Sequence, residues 1–246
     1  MSLVQIDKLV KEYDGLRAVD ELDLHLESGV VLGLVGPNGA GKTTTLRCLS
    51  GIIPPTSGRI LIDGHDLEKD RVEARRGLAF VPDEPRLFED LTVRDHLAVI
   101  ARLYGVSDGA RRGADLLARF DLADREDAYP SELSRGMKQK LMIALALLHR
   151  PRLLILDEPL TGLDPAAMRR MKRTLQEMAS EGMAVMVSSH MLHLVEEICH
   201  RILILQKGRT ILEGSLAEIR ARLPELDASA DLEEIFMHAT GGDDLS

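Results

Sequence analysis

Tryptophan is absent from this chain of 246 residues, and phenylalanine and tyrosine contribute only 4 and 3. So few rings leave no stacking platform for a single strand of nucleic acid. A net charge of −9 leaves no basic footprint for a phosphate backbone. These two shortages argue against nucleic acid as a partner. Cysteine is nearly absent too. Cys48 and Cys199 stand alone, which gives neither a metal-ligand spacing nor a disulfide framework. No apolar run approaches the roughly 20 residues of a membrane-spanning helix. No signal-like segment opens the chain, so it is expected to be made and kept in the cytosol. Internal repeats and low-complexity linkers are missing as well. What is present, 45% hydrophobic and 29% charged residues, is enough to bury one α/β core.

The most informative segment is Gly36-Pro37-Asn38-Gly39-Ala40-Gly41-Lys42-Thr43. It fits G-x-x-x-x-G-K-[ST], the P-loop, in which a glycine-rich turn brings backbone N–H groups to the phosphates of a nucleotide. Gly36, Gly39 and Gly41 allow a tight turn and close approach. Lys42 supplies a cation for the β- and γ-phosphates, and the Thr43 hydroxyl is a hard donor for Mg²⁺. The surroundings agree. Val30 to Val35 is a continuous apolar run that predicts a buried strand, and Lys42 to Ser50 predicts a helix whose N-terminus faces the phosphates.

The rest of the chain alternates between the two periods. Leu22, Leu24 and Leu26 alternate with polar residues, as in a half-buried antiparallel strand. Arg59 to Gly64 predicts a strand ending in a turn. Leu78 to Val81 predicts a short central strand. From Leu91 to about His149 the pattern is helical, with Thr92 and Ser134 as caps. Strands then return at Leu153–Leu156, Ala184–Val187 and Ile202–Leu205, with helices at Pro165–Glu181 and Met191–Cys199, so parallel βαβ units are expected. Beyond Gly214, Ser215 with Glu218 and Asp231 with Glu234 have capping-box spacing for two short helices. Residues 241–246 are expected to fray.

A P-loop requires a second strand that ends in carboxylate. Leu153-Leu154-Ile155-Leu156-Asp157-Glu158 provides one, with Asp157 placed to hold Mg²⁺ and Glu158 to activate a water. Acids at a strand end also commonly cap the next helix, Ser134 taken alone is an N-cap, and His190 taken alone is a helix-start histidine.

Taken in order, these elements resemble the ATP-binding subunit of an ABC transporter along nearly the whole chain. Leu133-Ser134-Arg135-Gly136-Met137 occupies the place of the family signature L-S-G-G-Q, just upstream of the Walker B strand. Thr161-Gly162-Leu163-Asp164 is similar to the D-loop and Ser189-His190 to the switch histidine. The resemblance implies a P-loop NTPase core with a mostly parallel sheet, an antiparallel β portion and an inserted helical subdomain. It implies an ATP-binding domain over residues 1–214, with the helical subdomain at about 91–149, and a short helical extension over 215–246. It implies ATP and Mg²⁺, with Tyr13 stacked on adenine and the nucleotide held by Gly36, Asn38, Gly39, Gly41, Lys42, Thr43 and Thr44. It implies that Ser134 and Gly136 complete the site of an opposing subunit in a homodimer or heterodimer. Glu158 and His190 are implied as catalytic, and Thr43, Asp83 and Asp157 as metal-binding. The partner implied is a polytopic membrane protein, with the chain peripheral on the cytoplasmic face. The alternative is a soluble ATPase of the same superfamily not coupled to transport. Two segments depart from the family pattern. Asp83 stands where glutamine is usual, and S-R-G-M replaces S-G-G-Q, a form similar to export-type subunits.

Overall fold

Strand β3 (Val31–Val35) is buried at every residue, because its alternate side chains enter different apolar layers. The computed structural model describes residues 2–227 and 229–242. Before β3 come the long strands β1 (Ser2–Tyr13) and β2 (Leu16–Glu27). After it come α1 (Lys42–Leu49), β4 (Ser57–Ile62), β5 (His65–Asp66), α2 (Arg71–Arg76) and β6 (Leu78–Val81). Three helices follow, α3 (Val93–Leu103), α4 (Gly109–Arg119) and α5 (Arg135–Leu147). The chain then returns to alternation with β7 (Leu153–Asp157), α6 (Pro165–Ser180), β8 (Ala184–Ser188), α7 (Leu192–Ile198) and β9 (Arg201–Gln206). It closes with β10 (Arg209–Gly214), α8 (Leu216–Ala221) and α9 (Leu232–Thr240).

Two sheets result. The larger has the order β10-β9-β3-β8-β7-β6, parallel except for the β9–β10 hairpin. The smaller is antiparallel, in the order β2-β1-β4-β5. One core lies between the parallel sheet and helices α3 to α6, and takes Leu154 and Leu156 from β7. The other lies between that sheet, α1 and the antiparallel sheet, and takes Leu153 and Ile155 from the same strand. A third, smaller core joins Ile202 and Ile204 to Leu232 and Phe236 of α9. The P-loop fold with a mixed architecture, expected from the motifs, is therefore the fold observed.

The capping expectations hold at atomic detail. Thr92 and Asp95 form a reciprocal capping box on α3, as do Ser215 with Glu218 on α8 and Asp231 with Glu234 on α9. Asp164 accepts from the backbone N–H groups of Ala166 and Ala167, with Pro165 opening α6. Two expectations need correction. β6 is not central but the edge strand of the parallel sheet. Its apolar run arises because Ala79 and Val81 face one core and Leu78 the other, so the run reports burial of both faces and not position in the sheet. Gly241 and Gly242 do not fray. Gly241 takes the left-handed conformation and the Gly242 N–H donates to the Met237 carbonyl at 2.9 Å, closing α9. Residues 243–246 lie outside the described residues.

Candidate functional site

The carboxyl ends of β3, β7 and β8 lie side by side, and the polar residues collect there. β3 ends at Val35, and the chain turns through residues 36–41 into α1. Two of the glycines in this turn are required by the protein's own backbone. A Cβ on Gly36 would stand 2.4 Å from the Leu205 carbonyl oxygen, and one on Gly41, whose φ is +103°, would stand 2.3 Å from that of Ala18. Gly39 is different. Its φ is +78° but a Cβ there meets nothing, and with Asn38 it forms the exposed tip of the loop. The turn is clamped from outside by Gly208, whose N–H donates to the Ala40 carbonyl at 3.0 Å.

Lys42 is half-buried, and its ammonium donates to the carbonyls of Gly36 at 2.5 Å and Pro37 at 3.2 Å. Burial lowers its pKa, opposed by the nearby charges of Glu158 and Asp157. Thr43 and Thr44 follow in the first turn of α1, both half-buried. The Thr43 hydroxyl lies 3.5 Å from Asp157 Oδ1. Asp157 is 4% exposed, and its Oδ1 also accepts from the Ser188 hydroxyl at 2.5 Å. Ser188 is a residue that the motifs do not single out. Its signal is the first polar residue after the apolar run Ala184 to Val187. It links both acids, because its hydroxyl accepts from the Glu158 N–H at 3.1 Å.

Glu158 adopts a φ of +48°, a left-handed conformation that is costly for a residue with a Cβ. This turns its side chain toward His190, whose Nδ1 lies 2.9 Å from Glu158 Oε2. Burial raises the Glu158 pKa, and hydrogen bonding and charge from His190, with the Lys42 charge, work against that rise. The structure thus brings Lys42, Thr43, Asp157, Glu158 and His190 into one linked cluster.

The hard oxygens of Thr43 and Asp157 suit Mg²⁺, which is commonly held by one or two carboxylates together with phosphate oxygens. Among the described residues no group of three or more His, Cys, Asp or Glu side chains could hold a metal unaided. The donor set therefore fits an ion shared with a bound phosphate.

The remaining sequence candidates stand outside this linked cluster, each with contacts of its own. Tyr13 ends β1, is 45% exposed, and carries the Lys11 ammonium 4.9 Å from its ring centroid. Ser134 caps α5, accepting from the Met137 N–H at 3.2 Å, and is exposed. Gly136 packs on the backbone of Gly162, with 3.2 Å between the Gly162 carbonyl oxygen and a Cβ built at 136. Asp83 is paired with Arg135, its Oδ1 3.5 Å from the guanidinium. Neighbouring Glu84 pairs with Arg86 at 3.5 Å.

Comparison with known proteins gives a consistent answer. The family pattern described as ABC transporter matches residues 19–161. The Nod factor export ATP-binding protein I of Burkholderia pseudomallei (strain 1710b) is 39% identical over 240 residues, covering 96% of this chain and 78% of that protein. The ABC-type transporter ATP-binding protein EcsA of Bacillus subtilis (strain 168) is 34% identical over 245 residues, covering 99% and 98%. A solved structure described as the ATP binding subunit of an ABC transporter superposes with a TM-score of 0.91 at 34% identity, covering 97% of this chain and 99% of that one.

Proposed function

The chain belongs to the ABC transporter family of ATP-binding proteins, and from that premise we propose that it is the ATP-hydrolysing subunit of an export-type transporter, driving a separate membrane-spanning partner. The observation that carries the reading is the Glu158–His190 pair set beside Lys42 and Asp157. A binding module needs only the P-loop. A carboxylate held by an imidazole next to the phosphate-binding lysine supports hydrolysis.

The P-loop N–H groups and Lys42 bind the β- and γ-phosphates of ATP, with Tyr13 against the adenine. Thr43 and Asp157 hold Mg²⁺, which when bound neutralises phosphate charge. Asp83, paired with Arg135 here, would be a further oxygen donor for the metal. Glu158 accepts the proton of the attacking water, and its raised pKa brings it closer to the range in which a general base works. His190 orients that water and the γ-phosphate. Ser188 fixes Asp157 and the Glu158 backbone in register. The exposed N-terminus of α5 offers Ser134 and Gly136 to the ATP of an opposing subunit, a second copy or a related chain.

Residues 1–214 form the ATP-binding domain, with about 91–149 as its helical subdomain and 215–246 as an extension. No helix among the described residues is long and apolar enough to cross a membrane, which fits a peripheral subunit on the cytoplasmic face. A groove of 620 Å³ between α1, β6 and the helices includes Ile52, Phe88, Val99 and Tyr104, all exposed. Its apolar lining suits a cytoplasmic segment of the membrane partner, and no nucleic acid is required. The test is to isolate the tagged chain with its native membranes and measure ATPase activity on the complex. A polytopic membrane protein should be retained and should change the rate. Full ATPase activity with no membrane protein retained would return the soluble ATPase reading.

A further inference from the structure

On the other side of α1 lies a second cavity, of 610 Å³, within the range of about 300–1,000 Å³ usual for small-ligand sites. Its wall is aliphatic, with Ile53, Pro54, Pro55, Ile60 and Leu67. Among the described residues no aromatic side chain lines it, so it offers no stacking surface for a nucleobase. Its mouth is cationic on balance, with three cations beside one exposed acid, Glu68. Lys69, Arg71 and Arg75 line it, and among the described residues none of these three side chains has a carboxylate partner. In a chain of net charge −9, such a cluster stands out. The mouth is also built rather than loose. Asp66, 6% exposed, pairs with Arg59 at 2.8 Å and accepts from the N–H groups of Glu68 at 3.0 Å and Lys69 at 3.2 Å. One carboxylate thereby fixes the turn that carries Lys69.

We propose that this cavity binds a single-headed aliphatic anion of the fatty-acid class, its carboxylate at Lys69 and Arg71 and its chain along Ile53, Pro54 and Pro55. A fully polar anion would leave the aliphatic wall unused, and a neutral lipid would leave the cations unanswered. The site is also placed to regulate. Gly51, Ile52 and Arg75 line both this cavity and the groove offered to the membrane partner, and Arg75 donates to the Gly51 carbonyl between them. These three residues form the wall shared by the cavity and the groove offered to the partner, so a ligand in one bears on the other. This regulatory role rests on the transporter reading, but the binding does not.

The binding test uses the full chain without nucleotide or partner, so that its outcome is separate from the transporter reading. Dodecanoate, kept below its micelle concentration, is titrated calorimetrically against dodecanol as the uncharged control. Saturable binding of one dodecanoate per chain is expected, at least tenfold tighter than dodecanol. Lys69→Glu/Arg71→Glu should weaken it at least tenfold while nucleotide affinity is retained, which serves as the check on folding. Equal binding of dodecanoate and dodecanol, or no loss in the charge-reversed variant, overturns the proposal. Vesicles of phosphatidylglycerol and of phosphatidylcholine separate a free anion from a membrane lipid. Capture by the anionic vesicles alone, with no binding of monomeric dodecanoate, also overturns it, since that is adsorption to a surface.

Discussion

The Asp83 carboxylate faces the Arg135 guanidinium at 3.5 Å, joining the loop after the edge strand β6 to the first turn of α5. Both side chains stand at positions where the sequence departs from its family's pattern, and they meet in space.

Both side chains are about half exposed, 50% and 58%, so the pair contributes at most about 1 kcal/mol to stability. Asp83→Ala and Arg135→Ala should each leave the thermal midpoint nearly unchanged, and a double-mutant cycle should return a coupling below that figure. The larger effect is expected in turnover. Asp83→Ala should shift the Mg²⁺ dependence of ATPase activity, and Glu84→Ala should not. If only Glu84→Ala shifts it, the metal role passes to Glu84.

Glu158→Gln keeps the shape of the side chain and removes its basicity. ATPase activity should fall by about 10²–10⁴, while nucleotide binding survives and an ATP-loaded dimer accumulates on size exclusion. Wild-type turnover in this variant would remove Glu158 from the catalytic role.

The same variant makes a prediction about pH. Burial raises the folded pKa of Glu158, so the folded chain holds that proton more tightly than the unfolded chain. Stability therefore falls as pH rises from the ordinary glutamate value of about 4.3 through the raised one, and the cost stays at higher pH. Glu158→Gln abolishes the titration. It should melt above the wild type at pH ~8 and lose that advantage as the pH drops below ~4. Melting curves across the pH range test the sign.

The P-loop glycines should separate into two classes. Gly39→Ala meets open space and bears only the left-handed penalty, about 1–2 kcal/mol. Gly41→Ala adds a Cβ 2.3 Å from the Ala18 carbonyl oxygen and should lose far more stability together with nucleotide binding. Equal losses in chemical denaturation would show that the clamp on Gly41 relaxes freely.

Mixing a Lys42→Ala chain with a Ser134→Arg chain tests the composite site. A mixed dimer places both defects in one site and leaves the other intact, so ATPase activity should reappear from two inactive preparations. Ser134→Ala is the control for capping. It should cost about 0.5–2 kcal/mol through loss of the bond to the Met137 N–H. No recovery in the mixture, with mixed dimers demonstrated, would count against sharing of the site.

What could be read in advance follows the range of the interaction. The Thr92–Asp95, Ser215–Glu218 and Asp231–Glu234 caps are contacts three residues apart, and sequence spacing specifies them. The P-loop and the Asp157-Glu158 strand end were legible because each is a contiguous motif on a buried strand. The edge position of β6 was not, since both faces of an edge strand can be buried. Neither were Ser188 and the Asp83–Arg135 pair, which depend on segments 31 and 52 residues apart in sequence. Hydrophobic pattern says that such segments are buried, but only the strand order says which of them touch.

The left-handed backbone at Glu158 sets stability against the proposed catalytic role at a single residue. Glycine would adopt that conformation without penalty, yet it would remove the carboxylate. A sequence optimised for folding alone, by consensus or by design, would be drawn toward replacing this residue, and under the proposed role of Glu158 the sturdier protein would bind ATP and perform no work. Thermostabilised variants of this chain should accordingly be screened by turnover, because the proposal predicts that a gain in melting temperature at position 158 comes with a loss of hydrolysis.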